Sequence, residues 1–233
     1  MSMVKESDPA KPKLVGRRRG RPTSDAAHAV PEARVLDLAF HAFAERGYEG
    51  TTLRELAKEL GVSHNLLNVR FGAKADLWRR AVDARVAQVA PPVFAAFDAP
   101  DLSDEERLRQ LVHRFCTWAT QNPGFVSLSY IEGRRATWRL DVLVTAYILP
   151  FKQQLDALLA RVAATRPIRS ISTSAFMAIL VQGVGFYFAS RPLLDRLGTA
   201  DEIAPDQIDG QVRLLAEFIL AGLLSRGGDT AVG

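Results

Sequence analysis

Hydrophobic residues recur every three or four positions from residue 31 almost to the C-terminus, and no stretch alternates apolar and polar residues as a half-buried strand would. This period places apolar side chains on one face of an α-helix. The first 29 residues lack the pattern and are rich in Pro, Gly, Lys, Arg and Ser, so we expect them to be disordered in isolation. The sequence therefore predicts an all-α fold behind a polar N-terminal arm.

Glycine and hydroxyl residues divide the start of the helical region into short elements. Thr52 followed by Glu55 three residues later is a capping-box signature, in which two side chains satisfy free amides at a helix start. Gly61 permits the positive φ of a sharp turn, and Ser63 can cap the next helix. The predicted helices cover residues 31–46, Thr52 to Leu60, about eight residues from Ser63 towards Gly72, and Lys74 to the Pro91-Pro92 pair.

Longer helical segments follow in the second half of the chain. They are predicted over residues 103–121, 124–134, 138–164, 168–190 and 206–225. Pro150 falls inside the third segment, but the apolar stripe continues beyond it. We therefore expect a bend at Pro150 rather than a break.

The segment from Thr52 to Ser63 has the features of a helix-turn-helix. Two helices that cross steeply need a small residue at their contact, which Ala57 supplies, and Gly61 four residues later allows the turn. The apolar residues that would fill the shared core are Leu53, Leu56, Leu60, Val62, Leu67 and Phe71. On this spacing alone, an ordinary helical hairpin is an equally good interpretation.

The wider string from Gly47 to Trp78 closely resembles the DNA-binding region of the TetR family of regulators. The matching residues are Gly47-Tyr48, Thr51-Thr52, Leu56-Ala57, Gly61-Val62-Ser63, Leu67, Phe71, Lys74 and Leu77. The resemblance is strong over residues 31–80 and weaker in the second half of the chain. Family members often carry a small pair where this chain has Asn65-Leu66, and a Tyr followed by a His where it has Asn68 and Arg70.

The resemblance implies an N-terminal three-helix DNA-binding domain joined to a larger helical domain that binds an effector and dimerises. The chain is then divided into a disordered basic arm (1–29), the helix-turn-helix domain (30–76), the effector-binding and dimerisation domain (77–226) and a disordered tail (227–233). It also implies a homodimer through the helices near 171–190 and 206–225, whose apolar stripes would equally suit a monomeric core. Two-fold pairing is favoured because it places two recognition helices one turn of DNA apart.

The third helix carries the expected recognition surface for double-stranded DNA. If Leu67 and Phe71 face the core, the residues on or beside the opposite face are Ser63, His64, Asn65, Leu66, Asn68 and Val69. Asn pairs with adenine in bidentate fashion, and an aliphatic side chain can contact the methyl group of thymine. Contacts to phosphates, which set the register, are expected from Thr52, Arg54, Arg70 and Lys74.

The excess positive charge lies in the arm. Residues 1–24 carry seven Lys or Arg against two acidic residues, whereas residues 25–80 carry eight of each sign. Arg19-Gly20-Arg21-Pro22 resembles an AT-hook, in which Arg19 and Arg21 would lie along the narrow minor groove of an A·T tract. On charge alone, the arm could instead be a solubilising tail.

Six aromatic residues in the second domain are candidates for the lining of an effector cavity: Phe115, Trp118, Tyr130, Trp138, Tyr147 and Phe186. Each of them could instead be ordinary core. The effector itself is implied by the family resemblance, and the apolar character of these residues favours a small, largely hydrophobic molecule. We therefore expect a repressor that its effector releases from a pseudo-palindromic operator.

Other classes of function find less support. The histidines have no metal-ligand spacing and no catalytic motif is present, so we expect no enzyme activity, no metal and no cofactor. An architectural protein that coats DNA with little sequence preference is the main alternative, although the balanced charge of residues 25–80 argues against it. The lone Cys116 and the absence of an apolar leader or a long apolar span predict a cytoplasmic, nucleoid-associated protein outside the membrane.

Overall fold

The computed structural model describes residues 30–224, except for the side chain of Ala200. Within that range the chain is helical and has no strand, which confirms the predicted fold class. The helices are α1 (Glu32–Arg46), α2 (Leu53–Glu59), α3 (His64–Phe71), α4 (Lys74–Val89), α5 (Pro91–Phe94), α6 (Asp104–Gln121), α7 (Pro123–Gly133), α8 (Trp138–Leu143), α9 (Leu149–Thr165), α10 (Thr173–Ala178), α11 (Gly185–Ala189), α12 (Arg191–Leu197) and α13 (Ile208–Leu223). The arm and the tail predicted at the termini lie outside the described residues.

The short N-terminal helices begin and end where the sequence predicts. Oγ1 of Thr52 accepts the N–H of Glu55 at 3.2 Å, and Oε2 of Glu55 accepts the N–H of Thr52 at 3.1 Å, so the capping box at the start of α2 is formed. Oγ of Ser63 accepts the N–H of Leu66 at 3.2 Å and caps α3. The glycines in the turns after α1, α2 and α3 all have positive φ: Gly47, Gly61 and Gly72.

A hydrophobic core lies among α1 to α4 and extends across the expected domain boundary. Leu67 and Phe71 of α3 are buried in it, as predicted. Trp78 of α4 is also fully buried there, and Leu128 of α7 completes the core from the second domain. The expected domain boundary at residue 76 falls within α4. Since α4 packs along α1 and continues into the second domain, both domains share this helix.

A second core lies among α6, α9, α10, α11 and α13, with α13 packed along α6. The helix expected from residue 168 begins instead at Thr173, because Ser172 is its N-cap and accepts the N–H of Ala175 at 3.1 Å. Gly185 of α11 allows close packing on α7, since a Cβ there would lie 3.0 Å from both methyl groups of Val126. A Cβ at Gly183, by contrast, would meet nothing within 4 Å.

Two helical rods, residues 138–165 and 173–189, each consist of two α-helices joined by a π turn. The first π turn, Val144–Ile148, joins α8 to α9, and the N–H of Leu149 donates to the carbonyl of Val144 five residues earlier. Pro150 follows directly, and proline lacks an N–H and crowds the carbonyl four residues before it. The widened turn lets the rod continue without a break, as predicted. The second π turn, Ile179–Val184, joins α10 to α11.

Candidate nucleic-acid interface and ligand cavity

The predicted recognition surface of α3 is open to solvent. Ser63, His64 and Asn65 are exposed and Val69 is 78% exposed, while Leu66 and Asn68 are half-buried. On the opposite face, Leu67 is 1% and Phe71 is 3% exposed, so both anchor the helix. Nδ1 of His64 lies 3.4 Å from Nδ2 of Asn68 one turn later, which brings their side chains together. The helix therefore presents polar and small apolar groups outward on a rigid support.

The expected phosphate contacts divide into exposed and engaged side chains. Arg54 is exposed on α2 and has no hydrogen bond or ion pair within residues 30–224. The Thr52 hydroxyl is part of the capping box. Hydrogen bonds from the side chain and the backbone of Thr52 hold the pKa of Glu55 below its usual range. This cap places the carboxylate of Glu55 beside Thr52, which was expected to contact a phosphate.

Arg70 and Lys74 are bound within the protein. Nη1 of Arg70 donates to the carbonyl of Val30 at 2.6 Å. Nζ of Lys74 donates to the carbonyls of Tyr48 at 2.8 Å and Thr51 at 3.0 Å, and lies 4.1 Å from the centre of the Tyr48 ring. Through these hydrogen bonds, Lys74 connects the turn between α1 and α2 to the start of α4. The sequence could not indicate this role, because the carbonyls that receive these bonds are brought there by tertiary packing.

Arg19 and Arg21 of the AT-hook-like motif lie outside the described residues.

A cavity of about 430 Å³ lies in the second domain, bordered by α4, α6, α7, the α8–α9 rod and the α10–α11 rod. Three of the six predicted aromatic residues line it: Phe115, Trp118 and Tyr147. The sequence analysis missed three further aromatic residues of the lining: Phe94, Phe125 and Phe151. Both π turns contribute to its wall, through Ile148 and Val181. Its volume is typical of a small-molecule site.

The other three predicted aromatic residues lie elsewhere. Tyr130 and Phe186 border a separate cleft of about 640 Å³ between α1, α7 and α11, with ring centroids 6.2 Å apart. Trp138 lines neither space. It packs at the junction of the two domains, with its ring centroid 5.2 Å from Trp78 and 5.6 Å from Tyr48. Trp138 is therefore a residue of the inter-domain core.

The polar groups of the cavity wall are mostly engaged. The hydroxyl of Tyr147 donates to Oδ1 of Asp83 on α4, and burial together with this bond raises the pKa of Tyr147. Nζ of Lys152 lies 2.7 Å from Oδ2 of Asp156, and this bond lowers the pKa of that carboxyl. Nε1 of Trp118 is buried and has no hydrogen-bond partner among residues 30–224.

A buried ion pair of the second domain lies at its junction with the helix-turn-helix domain. Nε of Arg139 lies 2.9 Å from both carboxylate oxygens of Glu132, and both side chains are buried. The guanidinium group also lies 4.4 Å from the ring centre of Tyr48, in the turn after α1. The arrangement couples α7 and α8 to the helix-turn-helix domain, and sequence reasoning gave no signal for it.

Large apolar side chains are exposed on the last helical elements. They are Ile179, Phe186, Leu193, Leu197, Leu214 and Phe218. Leu214 and Phe218 lie one turn apart on α13 and are 59% and 77% exposed. Exposed apolar groups of this size are typical of an interface.

Within residues 30–224, no three His, Cys, Asp or Glu side chains are grouped so that they could hold a metal ion. No single helix of that range has the length and hydropathy of a membrane span. Only the pair Thr173–Ala189 and Arg191–Leu197, bent by 65°, meets those criteria of length and composition when taken together.

Comparison with known proteins identifies the N-terminal domain. Residues 35–81 match the family described as "Bacterial regulatory proteins, tetR family". These residues therefore form a DNA-binding domain of the TetR type. A relative in Bacillus subtilis (strain 168), described as an uncharacterized HTH-type transcriptional regulator, YezE, is 35% identical over 79 residues. That match covers 34% of this chain and 40% of the length of the relative.

Solved structures share the TetR-family fold over most of the chain. The regulator PfmR from Thermus thermophilus is 20% identical with a TM-score of 0.63, covering 85% of this chain and all of its own. The ketosteroid transcriptional regulator KstR2 of Mycobacterium tuberculosis is 16% identical with a TM-score of 0.64, covering 83% and 94%. FadR from Bacillus subtilis, in complex with stearoyl-CoA, is 13% identical with a TM-score of 0.59, covering 82% and 99%. At these identities the likeness concerns the fold.

Proposed function

We propose that this TetR-family protein is a sequence-specific DNA-binding transcriptional regulator that acts as a repressor at a pseudo-palindromic operator. The observation that carries the proposal is the exposed face of α3, which buried Leu67 and Phe71 hold in place inside the segment that matches the family. Asn65 offers an amide for bidentate pairing with adenine, and Val69 offers an apolar contact for a thymine methyl. Such a protein would act on DNA in the nucleoid, in the cytoplasm.

Register on the duplex would come from contacts to phosphates. Arg54 is the best placed of the expected contacts, because its exposed side chain is not engaged within the described residues. Arg70 and Lys74 would support the domain instead, through the carbonyls that they bind. In this proposal, Arg19 and Arg21 of the arm add minor-groove contacts to A·T sequence beside the operator.

The functional unit in this proposal is a homodimer that pairs through α10, α11 and α13. Phe218 and Leu214 support it, because their exposed side chains on α13 would lose contact with water on pairing. Two copies of α3 would then read the two halves of one operator.

An apolar small molecule that occupies the cavity would release the operator. The aromatic lining supports such a ligand. Of the proteins of similar fold, KstR2 is described as a ketosteroid transcriptional regulator and FadR as in complex with stearoyl-CoA. Release requires that the ligand bind the DNA-incompetent conformation more tightly than the DNA-bound one. α4 is the element that would transmit the change, because it contributes to both the cavity and the core of the DNA-binding domain.

Selection of bound fragments from random DNA, followed by footprinting, tests the proposal. A short, pseudo-palindromic protected site is expected. Asn65→Ala should lower affinity for that site by about 10- to 100-fold, since a bidentate base contact discriminates by about 1–3 kcal/mol. Gln154→Ala, an equally polar and exposed position on α9, is the control and should bind as the unaltered protein does.

Two results would contradict the proposal. Uniform, weak protection of all duplexes would indicate an architectural protein instead. The second is that Asn65→Ala, His64→Ala and Val69→Ala all bind the selected site as tightly as the control Gln154→Ala does. In that case α3 would not be the helix that recognises the bases.

A further inference from the structure

Arg70 of α3 binds the residue that directly follows the N-terminal arm. Its Nη1 donates to the carbonyl of Val30 at 2.6 Å, across 40 residues of sequence. Val30 is half-buried, and its side chain packs against the core of the DNA-binding domain. A hydrogen bond from a guanidinium group is charge-assisted and therefore stronger than one between neutral groups. The point where the arm joins the folded domain is thus fixed to α3.

A second arginine, Arg80 of α4, holds the same point. Its Nη1 donates to the carbonyl of Arg70 at 3.2 Å, and its Nη2 lies 2.6 Å from Oε1 of Glu32 in the first turn of α1. Both guanidinium groups lie over the ring of buried Phe71, that of Arg70 at 5.2 Å and that of Arg80 at 4.7 Å from its centre. The two arginines therefore connect the end of α3, the start of α1 and the base of the arm.

The anchored point lies at one end of the predicted base-reading helix. Val69, directly before Arg70, is 78% exposed on the predicted recognition surface, and Phe71 is the last residue of α3. A recognition helix of this kind lies in the major groove of DNA. The arm would therefore start beside the groove that α3 reads.

The number of residues before Val30 limits where the AT-hook-like motif can act. Arg21 is nine residues and Arg19 is eleven residues before Val30. A chain spans at most about 3.3–3.6 Å per residue, so these arginines can lie up to about 30 Å and about 40 Å from the anchor. One turn of DNA is about 34 Å long, and the neighbouring minor groove is about half a turn away. The motif can reach that groove but cannot reach one that is two turns away.

We propose that Arg70 is the positioning residue of the arm: by holding Val30, it places Arg19 and Arg21 in an A·T minor groove within one turn of each half-site. The inference rests on the proposed DNA-binding function and deepens it, because Arg70 acts through the arm and not as a direct phosphate contact. An anchored arm has fewer orientations to lose when its arginines enter the groove. The anchor therefore raises operator affinity only when residues 1–24 are present.

A double-mutant cycle with the arm tests the inference. Arg70→Met removes the bond to Val30 and is compared in the full-length protein and in protein without residues 1–24, on the selected operator with A·T flanks. In the full-length protein, Arg70→Met should lower affinity about fivefold, as the loss of one hydrogen bond predicts. In the shortened protein it should change affinity by less than about twofold, because the two effects share the arm and are not additive. Arg70→Lys keeps a charged donor for the carbonyl and should recover most of the loss.

Arg114→Met is the matched control for this cycle. Arg114 is also half-buried, and its Nη1 donates to the carbonyl of Pro92 at 3.1 Å in the second domain. Its replacement should leave operator affinity unchanged in both proteins. An equal loss for Arg70→Met with and without residues 1–24 would overturn the inference, because a phosphate contact or a general effect on the domain acts without the arm. No loss in the full-length protein would overturn it as well.

Directed cleavage of DNA maps the position of the arm. An iron–EDTA label on Ser24→Cys cuts the DNA backbone near the arm, and Cys116 does not take up the label because it is buried, which raises the pKa of its thiol to about 12. Cuts should cluster within one turn of each half-site and should spread over more base pairs when Arg70→Met is added. Cuts that cluster equally in both proteins, or that cluster beyond one turn, would overturn the inference. Because these measurements use an operator already selected, such a failure refutes the positioning role and leaves the proposed function standing.

Discussion

The hydroxyl of Tyr147 donates a hydrogen bond to Oδ1 of Asp83 and so joins the wall of the ligand cavity to α4. Tyr147 lies in the first π turn, a type of element that is frequent at functional sites. Asp83 follows directly after residues of α4 that are buried in the core of the DNA-binding domain. A ligand that displaces the π turn would therefore act on α4 through this bond.

Tyr147→Phe keeps the ring and removes the bond. The operator affinity of the ligand-free protein should be retained, while the effector concentration needed for release should rise by about fivefold or more, as expected for a lost coupling contact. Anisotropy of a labelled operator, titrated with a compound that releases the unaltered protein, measures both quantities. Tyr187→Phe is the matched control, because Tyr187 also donates to a carboxylate, that of Glu202 at 2.8 Å, but does not line the cavity. Equal release curves for both variants would eliminate this bond as the coupling contact.

Deletion of residues 1–24 should weaken operator binding and its dependence on salt. The segment carries seven Lys or Arg, and each phosphate contact that is lost should make the logarithmic salt slope shallower by about 0.9. Titrations at several salt concentrations measure the slope. Replacing Arg19 and Arg21 by Ala should also abolish a preference for flanking A·T sequence, whereas the equal charge change at Lys11 and Lys13 should not. An unchanged slope after the deletion would show that the arm does not contact DNA.

Phe218→Glu should convert the proposed dimer to a monomer. It places a charge where α13 exposes its largest apolar side chain, and burying an unpaired carboxylate opposes association. Operator affinity should fall by about tenfold or more, because each monomer then reads one half-site. Ala160→Glu introduces the same charge at an exposed position of α9 and serves as the control. Sedimentation at equilibrium distinguishes the two states, and a Phe218→Glu protein that stays dimeric would place the interface elsewhere.

Glu132→Gln should destabilise the protein by about 3 kcal/mol, because it leaves the guanidinium of Arg139 buried without its full counter-charge. The free energy of unfolding in urea measures the loss. Combining Glu132→Leu with Arg139→Met removes both charges and should recover much of the stability, since buried ion pairs are often replaceable by apolar residues. If the double variant were less stable than Glu132→Gln, the pair would have a net stabilising role beyond mutual compensation.

Glu105→Gln should lower the melting temperature near neutral pH but not in acid. Bonds from Arg166 and then from Arg109 hold the pKa of Glu105 below its usual 4.5. The ionised carboxylate therefore stabilises the fold above that unfolded-state value, and the contribution disappears as pH falls through the lower folded-state value. The expected difference at pH 7 is about 1–3 °C, as for a partly exposed ion pair. The control is Asp101→Asn, at an exposed position without an ion pair in residues 30–224. When both variants are melted across the pH range, only Glu105→Gln should differ from the unaltered protein in a pH-dependent way.

The short-range features of this protein are determined by its sequence alone. The capping box of Thr52 and Glu55, the cap at Ser63 and the positive φ of Gly61 each depend on residues at most three apart, and all are found as predicted. The burial of Leu67 and Phe71 follows equally directly, because the helical period decides which face of α3 is apolar. These features, with the TetR-like string around them, were enough to locate the candidate DNA-binding surface.

Contacts between helices were decided only by the tertiary structure. Lys74 carries a charge suited to a phosphate, yet the carbonyls of Tyr48 and Thr51 lie close enough to bind it. From the sequence, Trp138 was as plausible a cavity residue as Trp118. In the structure only Trp118 lines the cavity, because α8 packs at the domain junction and places Trp138 against Trp78. Helical periodicity states which face of a helix is buried but leaves open which neighbour covers it, because that depends on crossing angles and on partners far away in the chain.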